Sequence, residues 1–470
     1  MGNFTCEGGE ASAHGLVFWY NPVRNMKILL VHPPVDYDMP AGYRTESLGL
    51  GYIAAVLRRD GHEVEVLDAI LQCLKPRDAI RDILARDFDC LGITAAGPHR
   101  RTLVAIVRAV KKRKKGAIVV AGGYLPTLST EHLLSACPEL DFVVRGEGEA
   151  AASNVFGRIA RGDDWHGAPG VAFLGGKTPV LNSLPPLIQD LDSLPFPARD
   201  AFDQALVPLS AGIASSRGCY HRCSFCCIQS FYALSGGHAP RFRSPGNVVD
   251  EIESVIASTG VKQFRFVDDD FLGPGAKTRE RVAQIAEDIR ARKLGITFTI
   301  ECRADEVDED LLKLLKEVGL TDVFLGVESG VQRQLDTYNK RITVEQNRQA
   351  IEIVRRSGVR LRSGFIMFDP YTTVAELQEN MQFIREMGLE EEAKAWPTPF
   401  VTKLVLHRGV PLVERLRADG LLREKGTDVD YVFKDWQVRL MARVALLSSA
   451  CSGFFRAARR LFGRRQSYRS

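Results

Sequence analysis

The segment Arg217-Gly218-Cys219-Tyr220-His221-Arg222-Cys223-Ser224-Phe225-Cys226 puts three thiols into one short loop, at spacings of four and three. Thiolates are natural ligands of iron–sulfur clusters. Three of them leave one corner of a four-iron cluster without a protein ligand. A substrate or cofactor can bind at that iron and receive an electron, so the pattern points to catalysis rather than electron carriage. Zinc is the competing reading. Structural zinc takes four ligands, commonly as two Cys-x-x-Cys pairs, and no second pair follows here. Cys227 and His221 are the other donors in the loop, but side chains adjacent in sequence rarely reach one metal together. Cys6, Cys73, Cys90, Cys137, Cys302 and Cys451 are isolated. With no secretory leader evident, disulfides are not expected.

A second set of polar residues follows apolar runs. Asp268, Asp269 and Asp270 come after Gln263 to Val267; Arg303 lies in Glu301-Cys302-Arg303-Ala304-Asp305; Glu328 and Ser329 follow Val323 to Leu325. Asp is also common at helix caps and turns, and Arg303 has Asp305 and Glu301 nearby as ordinary ion-pair partners. Arg suits bidentate binding of a carboxylate.

These residues need a scaffold, and the apolar pattern supplies one. Short apolar runs at Ile28 to Val31, Val64 to Leu67, Cys90 to Ile93, Ala117 to Ala121 and Phe142 to Val144 read as buried strands. Helical stretches at Gly49 to Arg59, Arg77 to Arg86, Leu103 to Lys112, Glu131 to Ser135 and Ala150 to Ile159 alternate with them. The alternation predicts a parallel sheet covered on both faces, with ligands outside the carboxyl ends of its strands. Gly122 and Gly123 stand at one such end, where a missing side chain lets a bulky ligand approach. Pro-rich residues 164–205 read as a linker, with a hairpin around Val171 to Val180. Alternation restarts at Ile213. Five strands with helices between them, and a sixth run at Val401 to Leu406, suggest a partial barrel with active groups at the carboxyl ends of its strands.

The cysteine spacing, Phe225 and Ser215-Ser216-Arg217-Gly218 resemble the radical S-adenosylmethionine (SAM) superfamily. The resemblance implies that Cys219, Cys223 and Cys226 hold a 4Fe-4S cluster and that SAM binds the fourth iron through its amino and carboxyl groups. It further implies that Asp268 to Asp270 contact the SAM amino group and that Glu328 and Ser329 contact its ribose and methionine. Arg303 is the candidate partner of the SAM carboxylate. The N-terminal half resembles the cobalamin-binding domain found ahead of many radical SAM domains, through Pro33-Pro34, Gly122-Gly123-x-x-Pro126-Thr127 and Val144-Arg145-Gly146-Glu147-Gly148-Glu149. It departs from the cobalamin mutases in lacking Asp-x-His-x-x-Gly. His62 lies before the second strand, so no histidine of this domain is placed below cobalt.

The expected architecture is α/β. An N-terminal arm over 1–25 precedes a Rossmann-like (flavodoxin-like) cobalamin-binding-type domain over 26–163. After the linker come a partial (βα)6 radical SAM barrel over 206–410 and a helical, basic extension over 411–470. Met26 is a candidate initiator. The chain is 470 residues, 45% hydrophobic and 26% charged, with a net charge of +4. That charge gives no reason to expect nucleic-acid binding, and no apolar run is long enough to span a bilayer. Residues 436–470 hold eight arginines and no acid. They read either as a helix touching anionic lipid or as a helix docked on the barrel. The expected cofactors are a 4Fe-4S cluster, SAM and cobalamin. The expected partners are a small-molecule substrate and an electron donor such as flavodoxin or ferredoxin, in the cytoplasm. The expected reaction is C-methylation of an unactivated carbon. The alternatives are a non-methylating radical reaction (dehydration, cyclisation or rearrangement) and a non-catalytic redox sensor.

Overall fold

The structure, a computed structural model, describes residues 25–35, 45–203, 205, 210–237, 239–390 and 402–445. Strands and helices alternate through its first part: β1 (Lys27–His32), α1 (Leu48–Arg59), β2 (Glu63–Asp68), α2 (Pro76–Ala85), β3 (Cys90–Thr94), α3 (Arg100–Arg113), β4 (Ile118–Gly122), α4 (Tyr124–Leu128), α5 (Thr130–Ala136), β5 (Phe142–Val144) and α6 (Gly148–Arg161). The apolar runs are buried on both faces, as the sequence requires. Leu50, Ala54 and Leu57 of α1 and Val155 and Phe156 of α6 cover one face. Ile83, Leu103, Ile106, Val107 and Leu133 cover the other. β1 pairs in parallel with both β2 and β3, so the strand order reverses between β1 and β3. A crevice opens at the carboxyl ends beside such a reversal.

The hairpin expected near Val171 forms as β6 (Val171–Gly175) and β7 (Thr178–Leu181). It does not stand apart in a linker. β6 pairs antiparallel with β5, giving a seven-stranded sheet of order β2-β1-β3-β4-β5-β6-β7. Pro179 is tolerated because β7 is the edge. The helix α4 was not anticipated, since five residues containing Pro126 carry no helical period.

β8 (Ala211–Ile213) opens the second sheet. It is followed by β9 (Ser216–Arg217), α7 (Cys227–Ala233), β10 (Arg241–Phe242), α8 (Pro245–Thr259), β11 (Gln263–Phe266), α9 (Ala276–Ala291), β12 (Thr297–Arg303), α10 (Glu309–Glu317), β13 (Leu320–Glu328), α11 (Gln332–Thr337), α12 (Val344–Arg356), β14 (Arg360–Phe365) and α13 (Val374–Glu386). Five parallel strands run in the order β14-β13-β12-β11-β8. Capping boxes at Thr343 and Thr373 start α12 and α13. The sixth strand is reduced to one parallel bridge, Phe368 to Lys403, with Phe368 N donating to Thr402 O at 3.0 Å. Val401 lies outside the described residues.

The C-terminal part is not wholly helical. α14 (Pro411–Ala418) leads into a hairpin of β15 (Leu422–Lys425) and β16 (Asp428–Tyr431), turned at Gly426 with φ 57°. A charged segment reads as helix by composition, yet this glycine reverses it. A helix over 436–445 follows, with Trp436, Leu440, Met441 and Val444 exposed. The basic residues beyond 445 and the arm before residue 25 lie outside the described residues. No helix among the described residues is long and apolar enough to cross a membrane.

Candidate active site between the two sheets

The cysteine loop leaves the carboxyl end of β8. Asp268, after β11, ties down its root: its carboxylate accepts from Ser215 N at 3.1 Å, from Ser215 Oγ at 2.7 Å and from Ser216 Oγ. Gly218 then turns the chain with φ 93°, which favours glycine, and its N–H donates to Asp269 Oδ2 at 3.2 Å. The far side of the loop is fixed by Ser224 N to Tyr338 O at 2.8 Å and Asn339 Nδ2 to Arg222 O at 2.7 Å. Cys219, Cys223 and Cys226 are half-buried in this frame. Burial pushes the Cys219 thiol up to about 12 and raises those of Cys223 and Cys226. Such thiols stay protonated unless a cation stabilises the thiolate. Three sulfur donors that need a cation fit a 4Fe-4S cluster, which supplies one.

The three aspartates divide the labour expected of them jointly. Both Asp268 oxygens are occupied by the loop, so this residue is an anchor. Asp269 lines the cavity described below, its carboxyl pushed up to about 7 by burial. Asp270 is 5% exposed and faces His221 and Glu306. His221 Nε2 lies 2.5 Å from Glu306 Oε1 and 3.7 Å from Asp270 Oδ2. Burial and the neighbouring Glu306 raise the Asp270 carboxyl well above the usual range. Sequence reasoning missed Glu306, although it closes the Arg303-Ala304-Asp305-Glu306 stretch.

Arg303 takes the ion-pair alternative. Its Nε lies 3.0 Å from Asp305 Oδ1, Nη2 donates to Lys340 O at 2.6 Å, and Nη1 donates to Cys223 Sγ at 3.4 Å. It therefore braces the cysteine loop directly. Glu328 sits at a register shift in β13, with φ 63°, a conformation strained for a non-glycine residue. The buried Lys340 lies 3.2 Å from Glu328 Oε1. Ser329 is fully buried. Its hydroxyl lies 2.5 Å from Gln334 Oε1 and 3.0 Å from Asn380 Oδ1, and it accepts from Val331 N. Its side chain is thus placed inside the barrel wall.

A cavity of about 310 Å³ joins the two sheets at their carboxyl ends. Leu30, Gly92, Val120, Gly122, Gly123 and Val144 form its first wall; Ser216, Arg217, Tyr232, Val267 and Asp269 form the second. Gly123 has φ 93°, and a Cβ there would lie 3.0 Å from Thr94 Oγ1. At Gly49, another lining residue, a Cβ would meet nothing within 4 Å. A largely apolar lining, with glycines after β4 and β5, suits a bulky ligand such as a corrin. No histidine lines this cavity among the described residues. His32 pairs with Asp68 at 3.0 Å, and His62 packs on Phe156.

Buried ion pairs hold the walls together. Arg217, two residues before Cys219, reaches Glu147 at 3.1 Å and Glu149 at 2.6 Å, and lies over the Tyr52 ring at 5.0 Å. Arg241 reaches Glu147 at 2.9 Å. A second network links Glu46, Arg199, Glu251 and Arg243, with Glu46 accepting from Gly212 N at 3.0 Å. The Glu147 and Glu149 seen in the sequence as part of a cofactor-domain motif are therefore docking residues for the cysteine loop.

The fold and site define a protein in which a three-cysteine barrel faces a doubly wound α/β domain across one cavity. Residues 213–384 match the Radical SAM superfamily and residues 38–156 match the B12 binding domain. The chain thus carries a B12-binding domain followed by a radical SAM domain. The cofactors implied by these two domains are a 4Fe-4S cluster, SAM and cobalamin. It is similar to an uncharacterized methyltransferase of Pyrococcus horikoshii, 29% identical over 422 residues, covering 87% of this chain and 88% of the relative. It is also similar to the anaerobic magnesium-protoporphyrin IX monomethyl ester cyclase of Rubrivivax gelatinosus, 27% identical over 395 residues, covering 80% and 68%. The cobalamin-dependent SAM radical enzyme OxsB, solved with aqua-cobalamin, shares the fold with TM-score 0.74 at 20% identity; the match covers 92% of this chain and 67% of OxsB.

Proposed function

We propose that the protein is a cobalamin-dependent radical SAM enzyme that methylates an unactivated carbon of a small molecule. The observation that carries this reading is the shared cavity, whose walls are the glycine-lined strand ends of the B12-binding domain and the root of the cysteine loop. When bound, the cluster supplies the electron that cleaves SAM to methionine and a 5′-deoxyadenosyl radical, and cobalamin supplies the methyl group. The chain's own residues position these groups. Cys219, Cys223 and Cys226 would hold the cluster, with Arg303 donating to Cys223. Asp269 and Glu328, at the ends of β11 and β13, would orient SAM. Arg217 fixes the distance between the loop and the B12-binding domain through Glu147 and Glu149. A one-electron donor such as flavodoxin or ferredoxin would reduce the cluster.

The test is anaerobic incubation of reconstituted protein with SAM, hydroxocobalamin, reductant and candidate substrates. 5′-Deoxyadenosine reports radical formation, and S-adenosylhomocysteine reports methyl donation. Both are expected, with about one equivalent of cobalamin retained, as one crevice allows. 5′-Deoxyadenosine alone, with no cobalamin held, favours a non-methylating radical reaction. The similarity to a cyclase favours that second reading. Neither product, with a stable redox-active cluster, indicates a sensor.

A further inference from the structure

A second cavity, of about 790 Å³, lies on the outer side of the cysteine loop, with Cys223 in its wall. Arg145, Arg222, Arg408 and Arg417 line it, against one carboxylate, Glu131. Arg408 and Arg417 share Glu424, and Arg417 also reaches Glu414. Arg145 is different. It follows β5 and is 9% exposed, yet no carboxylate among the described residues lies within ion-pair distance of it. Its Nη1 donates to Asn182 O at 3.2 Å, while its buried Nε has no partner. Burial pushes its guanidinium below the usual range. The nearby buried arginines 199, 217, 241 and 243 all have carboxylates. The counter-charge of Arg145 is Glu131, which lines the same cavity but lies beyond ion-pair distance; a buried charge so weakly compensated is costly.

We infer that this cavity is an anion subsite, in which Arg145 takes a phosphate-type group beside the cluster loop. A planar guanidinium fork matches phosphate oxygens two at a time. The group has two available sources: the phosphodiester of a bound cobalamin, or the phosphate of a separate small molecule. Anion binding does not depend on radical chemistry, so the failure of either reading leaves the other standing.

The experiment titrates inorganic phosphate into the full chain by calorimetry, with and without cobalamin, and repeats it on Arg145→Met and Arg145→Lys. Saturable binding to the wild type is expected, at least tenfold weaker in Arg145→Met and partly retained in Arg145→Lys. In phosphate-free buffer Arg145→Met should melt no lower than the wild type, because it removes a buried charge that only the more distant Glu131 compensates. Phosphate should raise the Tm of the wild type most, that of Arg145→Lys less, and that of Arg145→Met least. If the cofactor is the source, cobalamin loading abolishes phosphate binding, and Arg145→Met weakens cobalamin but not cobinamide, which lacks the phosphodiester. If a separate molecule is the source, loaded and unloaded protein bind phosphate equally. Absence of saturable binding to either form, or equal binding to Arg145→Met, overturns the inference. So does a lower Tm of Arg145→Met without phosphate, which would make the guanidinium a structural prop.

Discussion

Glu147→Gln is the sharpest probe of how the two walls of the central cavity are held. Glu147 is 8% exposed in its side chain and accepts from Arg217, from both terminal nitrogens of Arg241, and from Ile188 N at 2.9 Å. The amide keeps one acceptor oxygen and loses the charge. Arg217 retains Glu149, but Arg241, 7% exposed, is left with the Ile188 carbonyl and the Tyr232 ring. Breaking a buried pair from one side costs about 3–5 kcal/mol. The retained acceptor and Glu149 place this change at the low end, about 3 kcal/mol. At roughly 2–4 °C per kcal/mol for domains of this size, the first thermal transition should fall by about 6–12 °C. The assay is thermal unfolding followed by circular dichroism, at low salt and at 1 M salt. The drop should persist in salt, because buried pairs are poorly screened. Glu147→Gln/Arg241→Gln removes both charges and should lose less than the sum of the single changes, by about 1–3 kcal/mol. A single variant melting within 2 °C of the wild type, by the slope above, or a strictly additive double variant, refutes the reasoning.

Replacing Cys219, Cys223 or Cys226 with Ala should abolish cluster absorbance and SAM cleavage, while Cys227→Ala should retain most of both; loss of the cluster in Cys227→Ala would overturn the ligand assignment. Asp269→Asn should weaken SAM binding about tenfold, roughly 1.4 kcal/mol, with cluster absorbance intact. Asp268→Asn should instead lower cluster yield, since it unties Ser215 and Ser216; the reverse outcome would exchange their roles. Burial raises the Glu46 carboxyl from 4.5 to about 7. The native state therefore holds a proton that the unfolded state releases, so this residue's effect is loss of stability as pH rises from about 4.5 to about 7. Glu46→Gln should flatten that part of the Tm–pH curve, and an unchanged slope would place the proton elsewhere.

Much of this was legible because strands at regular spacing make their carboxyl ends predictable. The cysteine loop, Asp268 to Asp270, Arg303 and Glu328 all fall at such ends. What a strand end does not reveal is which neighbour takes up a polar group. Asp268 is occupied by two serines, Arg303 by Asp305 and Cys223, and Ser329 by Gln334 and Asn380. The docking contacts of Glu147 and Glu149 join residues 68 to 94 positions apart, a separation at which no local pattern survives. Lys340 and Glu306 were missed for the same reason. The β15–β16 hairpin was hidden because its charged residues have ordinary helical propensity, and only Gly426 signals the turn.

The position of Arg217 has a kinetic side. The same guanidinium that ties the two walls of the cavity is covalently next to the cysteine loop, so the two domains cannot part without pulling on the loop. A cofactor larger than the cavity's roughly 310 Å³ would enter or leave through such a parting. Its exchange rate should then follow the population of locally opened molecules, changing about tenfold for each 1.4 kcal/mol in the ion-pair lock. Loading before the walls close would be fast, and exchange afterwards slow, so the order of assembly would govern how much holoprotein a cell obtains.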